Sequence, residues 1–265
     1  YGFNNPDSEW DKKSIDFLLI GDSLVHGSCV EPEYNIADVI RKISNGNSVL
    51  NLANRGAGPL IEYAFLREYL KYIQPKRVIW FYVEANDKND LLKELKNKYL
   101  LNYLENKKFS QNLAVSQQKI DKTLVEIYRK FQIQQQISSQ TKNKSKFAIV
   151  MRDSYKFLRL RILFGNTLSE ILPDKNFKKV LSLSKNLVKQ KGAKFYFVYI
   201  PDIARYSNKL NMKSYSIYEK ISNHDDIIAI AKNLNIPILD LHQKVFKNHH
   251  DLQLLYSSTA RGTHP

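Results

Sequence analysis

Five short stretches of the chain are apolar almost without interruption: DFLLI (16–20), SVLNLA (48–53), RVIWFYV (77–83), KFYFVYI (194–200) and IPILDL (236–241). A strand with one wet face alternates apolar and polar residues, whereas a strand buried on both faces reads as a continuous apolar run. These five are therefore expected to be strands of a parallel sheet covered by helices. Between them the apolar residues recur at helical spacing, in Ile36–Ile43, Ile61–Ile73, Phe177–Lys191 and Ser216–Leu234. Strand alternating with helix predicts a three-layer α/β/α architecture, flavodoxin-like, with a five-stranded parallel sheet.

One segment breaks this rhythm. From about residue 91 to residue 173 no strand pattern appears, only long stretches rich in Lys, Gln and Leu, with SQTKNKSK (139–146) as a polar loop between them. A crossover between parallel strands needs about a dozen residues, so this is read as a mostly helical insertion in a single domain spanning 1–265. No internal repeat accompanies it.

Charge sharpens the picture of that insertion. The 265-residue chain carries a formal +15, and residues 91–190 hold 21 Lys/Arg against 7 Asp/Glu, nearly the whole excess. A solvated helical surface is the plain reading. An anionic membrane surface or an acidic partner is the sharper one. Nucleic acid is not expected, since no zinc finger, RRM signature or helix-turn-helix is present. No run of about 18 apolar residues spans a bilayer. The chain starts at Tyr1 without a signal-peptide pattern, as an internal cut in a longer protein would. A cell-envelope location is the expectation if an N-terminal anchor precedes it. The lone cysteine, Cys29, excludes a disulfide scaffold and reads as a small packed residue.

In open parallel sheets ligands bind beyond the carboxyl ends of the strands, so candidate chemistry is sought in the loops that follow them. After the first strand comes Gly21-Asp22-Ser23; after the second NRGAGP, with Gly56 and Gly58; after the third EANDKND, with Glu84 and Asn86. The chain ends on RGTHP, with Arg261 and His264. Acyl transfer needs a nucleophile, a base and donors for the oxyanion. Ser23 at a sharp turn suits the first role and His264 the second. The Ser23 N–H, the Gly56 N–H and the Asn86 side-chain amide suit the third. Asp22 is read as an acid satisfying turn amides, and Gly58 as turn geometry. His26, three residues after Ser23, is a candidate for lining the site. Glu84 is expected either to orient a base or to accept from loop amides. His224, His242, His249 and His250 show no ligand spacing, so neither a metal nor another cofactor is expected.

The set Ser23 in IGDSLVHG, Gly56 in NLANRGAGP, Asn86 in VEANDKNDL and His264 in GTHP resembles, in kind and order, the four blocks of the SGNH hydrolases, the GDSL esterase/lipase superfamily. EAND and NRGAGPL look most similar to the bacterial SGNH-like group linked to cell-surface polysaccharide modification. The resemblance implies a serine esterase that removes an O-acyl group, such as acetyl, from a carbohydrate or other ester. It implies equally a carbohydrate O-acetyltransferase, if a sugar hydroxyl replaces water, or a non-catalytic polysaccharide-binding module. Two positions depart from the family pattern. Glu84 stands where glycine is usual, and Arg261 stands three residues before His264, where an aspartate would orient the imidazole.

Overall fold

The structure, a computed structural model, describes residues 2–27, 30–140, 175–206 and 223–255. A short helix α1 (Asp7–Trp10) leads into strand β1 (Ile15–Ile20), helix α2 (Ser23–His26) and helix α3 (Ile36–Ile43). Strand β2 (Val49–Asn51), helix α4 (Pro59–Tyr69) and strand β3 (Pro75–Val83) follow. Helices α5 (Asp87–Glu94), α6 (Lys98–Glu105) and α7 (Gln117–Gln140) come next. Helix α8 (Lys175–Gln190), strand β4 (Lys194–Ile200), helix α9 (His224–Asn233) and strand β5 (Ile238–Asp240) complete the regular elements.

All five strands are parallel, in the order β2-β1-β3-β4-β5. This is the flavodoxin-like order, in which the winding reverses between β1 and β3 and opens a crevice at their carboxyl ends. Side chains alternate across the sheet. Leu18, Ile20, Val78, Trp80, Tyr82, Phe197 and Tyr199 pack with Leu60 and Leu66 of α4, Phe177 and Val180 of α8, and Ile227 of α9. Leu19, Phe81, Val83, Val198 and Ile200 face the other way, onto Val25 of α2 and Ala37 of α3. Both faces of the central strands are thus covered, which is why their sequences are continuously apolar. Each fully buried aliphatic side chain contributes about 1.5–3 kcal/mol.

The helices begin where their caps dictate. Asn35 accepts from Asp38 N (2.9 Å) to start α3, and Asn97 accepts from Tyr99 N (2.9 Å) to start α6. Helix α4 begins at Pro59, two residues before the apolar periodicity suggests. It has no cap of its own, and the Glu94 carboxylate from the end of α5 accepts from Gly58 N (2.7 Å) and Leu60 N (2.9 Å) instead. Gly58 is extended rather than left-handed, so turn geometry is not why it is glycine. A Cβ there would lie 2.7 Å from Asp90 Cβ and 3.0 Å from each Glu94 oxygen, so the close approach of α5 requires its absence.

The chain divides into two units: Tyr1–Ala114 with Asp174–Pro265, and Val115–Pro173. Residues up to 114 belong with the first because α4 holds them. Arg67 donates to the carbonyls of Tyr103 (2.5 Å), Lys107 (2.8 Å) and Phe109 (2.8 Å). Its neighbour Glu68 accepts from the Tyr103 hydroxyl (2.7 Å) and Gln111 N (2.8 Å). In the second unit the described part is Val115–Gln140, almost all of it α7, which takes in the Ser139 and Gln140 expected in a loop. Residues 141–174, like 207–222, where the fourth expected helix was to begin, lie outside the described residues.

Candidate active site at the carboxyl edge of the sheet

Strand β1 ends at Ile20, and the chain turns at once into α2. Gly21 makes the turn sterically feasible, since a Cβ there would come 2.7 Å from Val25 Cγ2. Asp22 is fully buried and is the cap, accepting from Leu24 N at 2.9 Å. Ser23 is therefore not the cap but the first residue of the helix, partly buried at the sheet edge. The helix stops after one turn at Gly27, left-handed at φ 78° and close-packed against Asn35.

The loop after β2 is fastened beside this turn. Asn54 N donates to Gly21 O (3.2 Å) and Ala57 N donates to Asn54 O (3.2 Å), with Gly56 exposed between them at φ +72°. Fully buried Asn51, at the end of β2, ties the two loops further. Its amide donates to Val25 O and its carbonyl accepts from Ala53 N, both at 2.9 Å. Asn51 was not singled out in the sequence, although a polar residue in the middle of SVLNLA was the visible signal.

Asn86 follows β3 as the residue before α5. Its side-chain nitrogen donates to Asp22 Oδ2 and to Asp90 Oδ2, each at 3.0 Å. The first of these bonds joins loops 64 residues apart in the chain and brings the serine turn and the asparagine loop together. The second engages the remaining amide proton, and Asn86 Oδ1 is buried with no partner. Beneath these groups lies an unusual concentration of carboxyls. Asp87 accepts from Val83 N (2.8 Å) through one oxygen, and among the described residues its other oxygen and both oxygens of Glu62 on α4 are buried without a close hydrogen-bond partner. Burial, reinforced by Asp87, Asp22 and Glu94, pushes the Glu62 carboxyl well above the usual carboxylate range. Burial and Asp22 do the same to Asp87. Burial lifts Glu94 to about 7 against its two cap bonds. Among the described residues no group of three or more His, Cys, Asp or Glu is arranged to hold a metal ion.

Glu84 accepts from a loop amide among the described residues. Its carboxylate accepts from Asp202 N (3.0 Å) and from Arg205, joining the ends of β3 and β4. Burial would raise its pKa, but the Arg205 hydrogen bonds and charge outweigh that and hold it below the ordinary range. His26 closes α2 with a partly buried ring whose Nδ1 has no partner. Burial, aided by Arg55, depresses its pKa. Around the end of β5, His224 sits 2.8 Å from both Asp225 and Asp240, and His242 Nδ1 lies 2.7 Å from the Tyr206 hydroxyl. His264, Arg261 and Cys29 lie outside the described residues. Of the sequence-derived set, the structure thus bonds Asp22, the residue before Ser23, to Asn86, and fastens the loop that carries Gly56 to Gly21. Glu84 is held in a separate ion pair.

The fold and these loops define a doubly wound α/β protein with a serine-bearing turn at the switch point of its sheet. No family model and no curated protein matches the sequence. A crystal structure of TesA superposes with a TM-score of 0.44 at 12% identity, covering 94% of this chain and 88% of that one. The functional reading therefore rests on the residues themselves.

Proposed function

We propose that the chain is an SGNH-type serine ester hydrolase acting on an O-acyl group, with an acylated carbohydrate as the substrate class. The observation that carries this is the Asp22–Asn86 bond at the β1/β3 crevice. It ties the turn that carries Ser23 to the asparagine loop, and the Asn54 N–H, on the loop that carries Gly56, donates to Gly21 O in the same turn. In the proposed reaction Ser23 Oγ attacks the ester carbonyl carbon and its proton passes to His264. The tetrahedral oxyanion collects N–H donors from Ser23, Gly56 and Asn86. Collapse expels the alcohol with that proton, and water, activated by the same imidazole, releases the acid. A sugar hydroxyl in place of water would make the same acyl-enzyme a carbohydrate O-acetyltransferase. A non-catalytic polysaccharide-binding module is the second reading, and the engagement of both Asn86 amide protons favours it. A fluorophosphonate probe decides between catalysis and binding: an enzyme acquires one covalent adduct, mapped by peptide mass to Ser23. A folded protein with no adduct there overturns the enzyme reading.

We also propose that the basic insertion faces an anionic membrane. On α7, Ile120, Leu124, Ile127 and Phe131 recur at helical spacing as one stripe, and the last three are 56%, 57% and 54% exposed. Lys119, Lys122, Arg129 and Lys130 lie on the same helix. Among the described residues no helix is long and apolar enough to cross a membrane, so such a helix would lie in the interface. Vesicles containing phosphatidylserine should sediment the protein, and 0.5 M salt should release it. Equal binding to neutral vesicles, or no binding to either, would overturn this.

A further inference from the structure

The two hydrogen bonds that hold Asn86 have a chemical consequence. A primary amide carries two protons, and here both are taken, by Asp22 and by Asp90, at 3.0 Å each. Exchanging the amide's nitrogen and oxygen would set a carbonyl oxygen against two carboxylates, so the orientation is fixed by electrostatics. A substrate oxygen arriving at the crevice therefore meets an asparagine whose donors are occupied.

The two carboxylates are not equivalent. Asp22 is fully buried, and its other oxygen is anchored by Leu24 N. Asp90 lies one helical turn beyond Asn86 at the edge of the cluster. Its other oxygen pairs with Lys93 Nζ at 2.7 Å, and the Lys93 side chain is 74% exposed. Asp90 is thus bound on one side to an exposed surface cation and on the other to the amide. Asp22 has no comparable route to solvent.

We infer that Asp90 is a gate on the oxyanion asparagine, an inference that rests on the serine-hydrolase reading. Asp22 holds the amide in place throughout, while Asp90 competes with the substrate oxyanion for the second proton. Asn86 becomes a donor only when the Asp90 carboxylate swings toward Lys93. Asp90 is accordingly a positioning residue that acts through Asn86, and one whose presence slows acylation.

A residue that merely supports the loop loses activity when truncated, whereas a competing acceptor yields a gain. Asp90→Ala is expected to raise kcat for p-nitrophenyl acetate about tenfold with KM little changed, and Asp90→Asn, which keeps an acceptor oxygen, to fall between. The second readout does not depend on turnover. In side-chain amide NMR, with the Asn86 resonances assigned by their loss in Asn86→Ala, both protons should exchange slowly in the wild type. One of them should exchange at least tenfold faster in Asp90→Ala. Ser23 labelling with an unchanged or lowered kcat in Asp90→Ala overturns the gate alone. Unchanged amide exchange in Asp90→Ala also overturns it. No labelling and no turnover in either protein overturns the gate together with the reading it rests on.

Discussion

Ser23→Ala should lower kcat for p-nitrophenyl acetate at least about a thousandfold and leave the protein folded. Removing the nucleophile of an acyl-transfer site removes the covalent route, and what remains is the weak acceleration supplied by oxyanion donors and binding. The fold should tolerate the change because the helix cap is Asp22, whose carboxylate bonds Leu24 N and Asn86 whether or not residue 23 has a hydroxyl. Urea unfolding of the variant should agree with the wild type to about 1 kcal/mol, the typical size of a single substitution that leaves core and caps in place. Full turnover in a folded Ser23→Ala protein would remove the serine from the mechanism. Activity lost together with stability would instead mean that the residue served the turn.

What was readable in the sequence follows from how each part is stabilised. The runs KFYFVYI and RVIWFYV became β4 and β3 nearly to the residue because a central parallel strand is buried on both faces, and burial is written locally as apolarity. The outer runs SVLNLA and IPILDL shortened to Val49–Asn51 and Ile238–Asp240, since an edge strand pairs on one side only. The start of α4 was misplaced because its cap comes from Glu94, 36 residues from Gly58, and no local pattern reports a cap donated across space. The serine and asparagine loops were legible as the segments that follow strands. Their bond through Asp22, and the part played by Asp90, were not, because a carboxylate in a helix ordinarily reads as surface.

Glu62 shows that rule failing with a visible warning. It falls on the same face of α4 as Leu66 and Tyr69, both buried, so helical spacing alone put an acid into the core side. Little compensates it there: among the described residues its oxygens make no close hydrogen bond, the nearby Trp80 indole lowers its pKa only as the smallest influence, and Asp87, Asp22 and Glu94 are the charges that raise it. Such a group holds its proton more tightly in the folded protein than in the unfolded chain, because ionising it would place a further charge among carboxyls in a poorly hydrated interior.

This cluster should make the protein lose stability as the pH rises through neutrality. Each of the three carboxyls has a folded-state pKa above its unfolded value, so the native state binds more protons and ∂ΔG/∂pH is negative. For Glu94 the window runs from 4.5 to about 7. That amounts to about 3.5 kcal/mol at roughly 1.4 kcal/mol per unit. The windows of Glu62 and Asp87 open at 4.5 and 3.8 and extend upward from there. His26 and His242, whose pKa values burial lowers from 6.5, act in the opposite sense just below neutrality, so the fall is the excess of the carboxyls over these two imidazoles. Carboxyls shifted the other way do not cancel it. Asp16, lowered to about 2 by Lys76 and Ser48, and Glu68 and Glu84, lowered by their partners, exert their effect below the ordinary carboxylate range. Glu62→Gln keeps the volume, removes one titrating group and relieves its neighbours. Urea unfolding at pH 5, 6.5 and 8 should therefore show a falling stability in the wild type and a shallower fall in Glu62→Gln. The variant should be the more stable of the two at pH 8, with little difference at pH 5. A wild-type stability that is flat or rising over that interval, with no change of slope in Glu62→Gln, would mean the carboxyls do not outweigh His26 and His242 and are ionised and compensated. A Glu62→Gln slope equal to the wild type's would place the titrating protons on Asp87 and Glu94 alone.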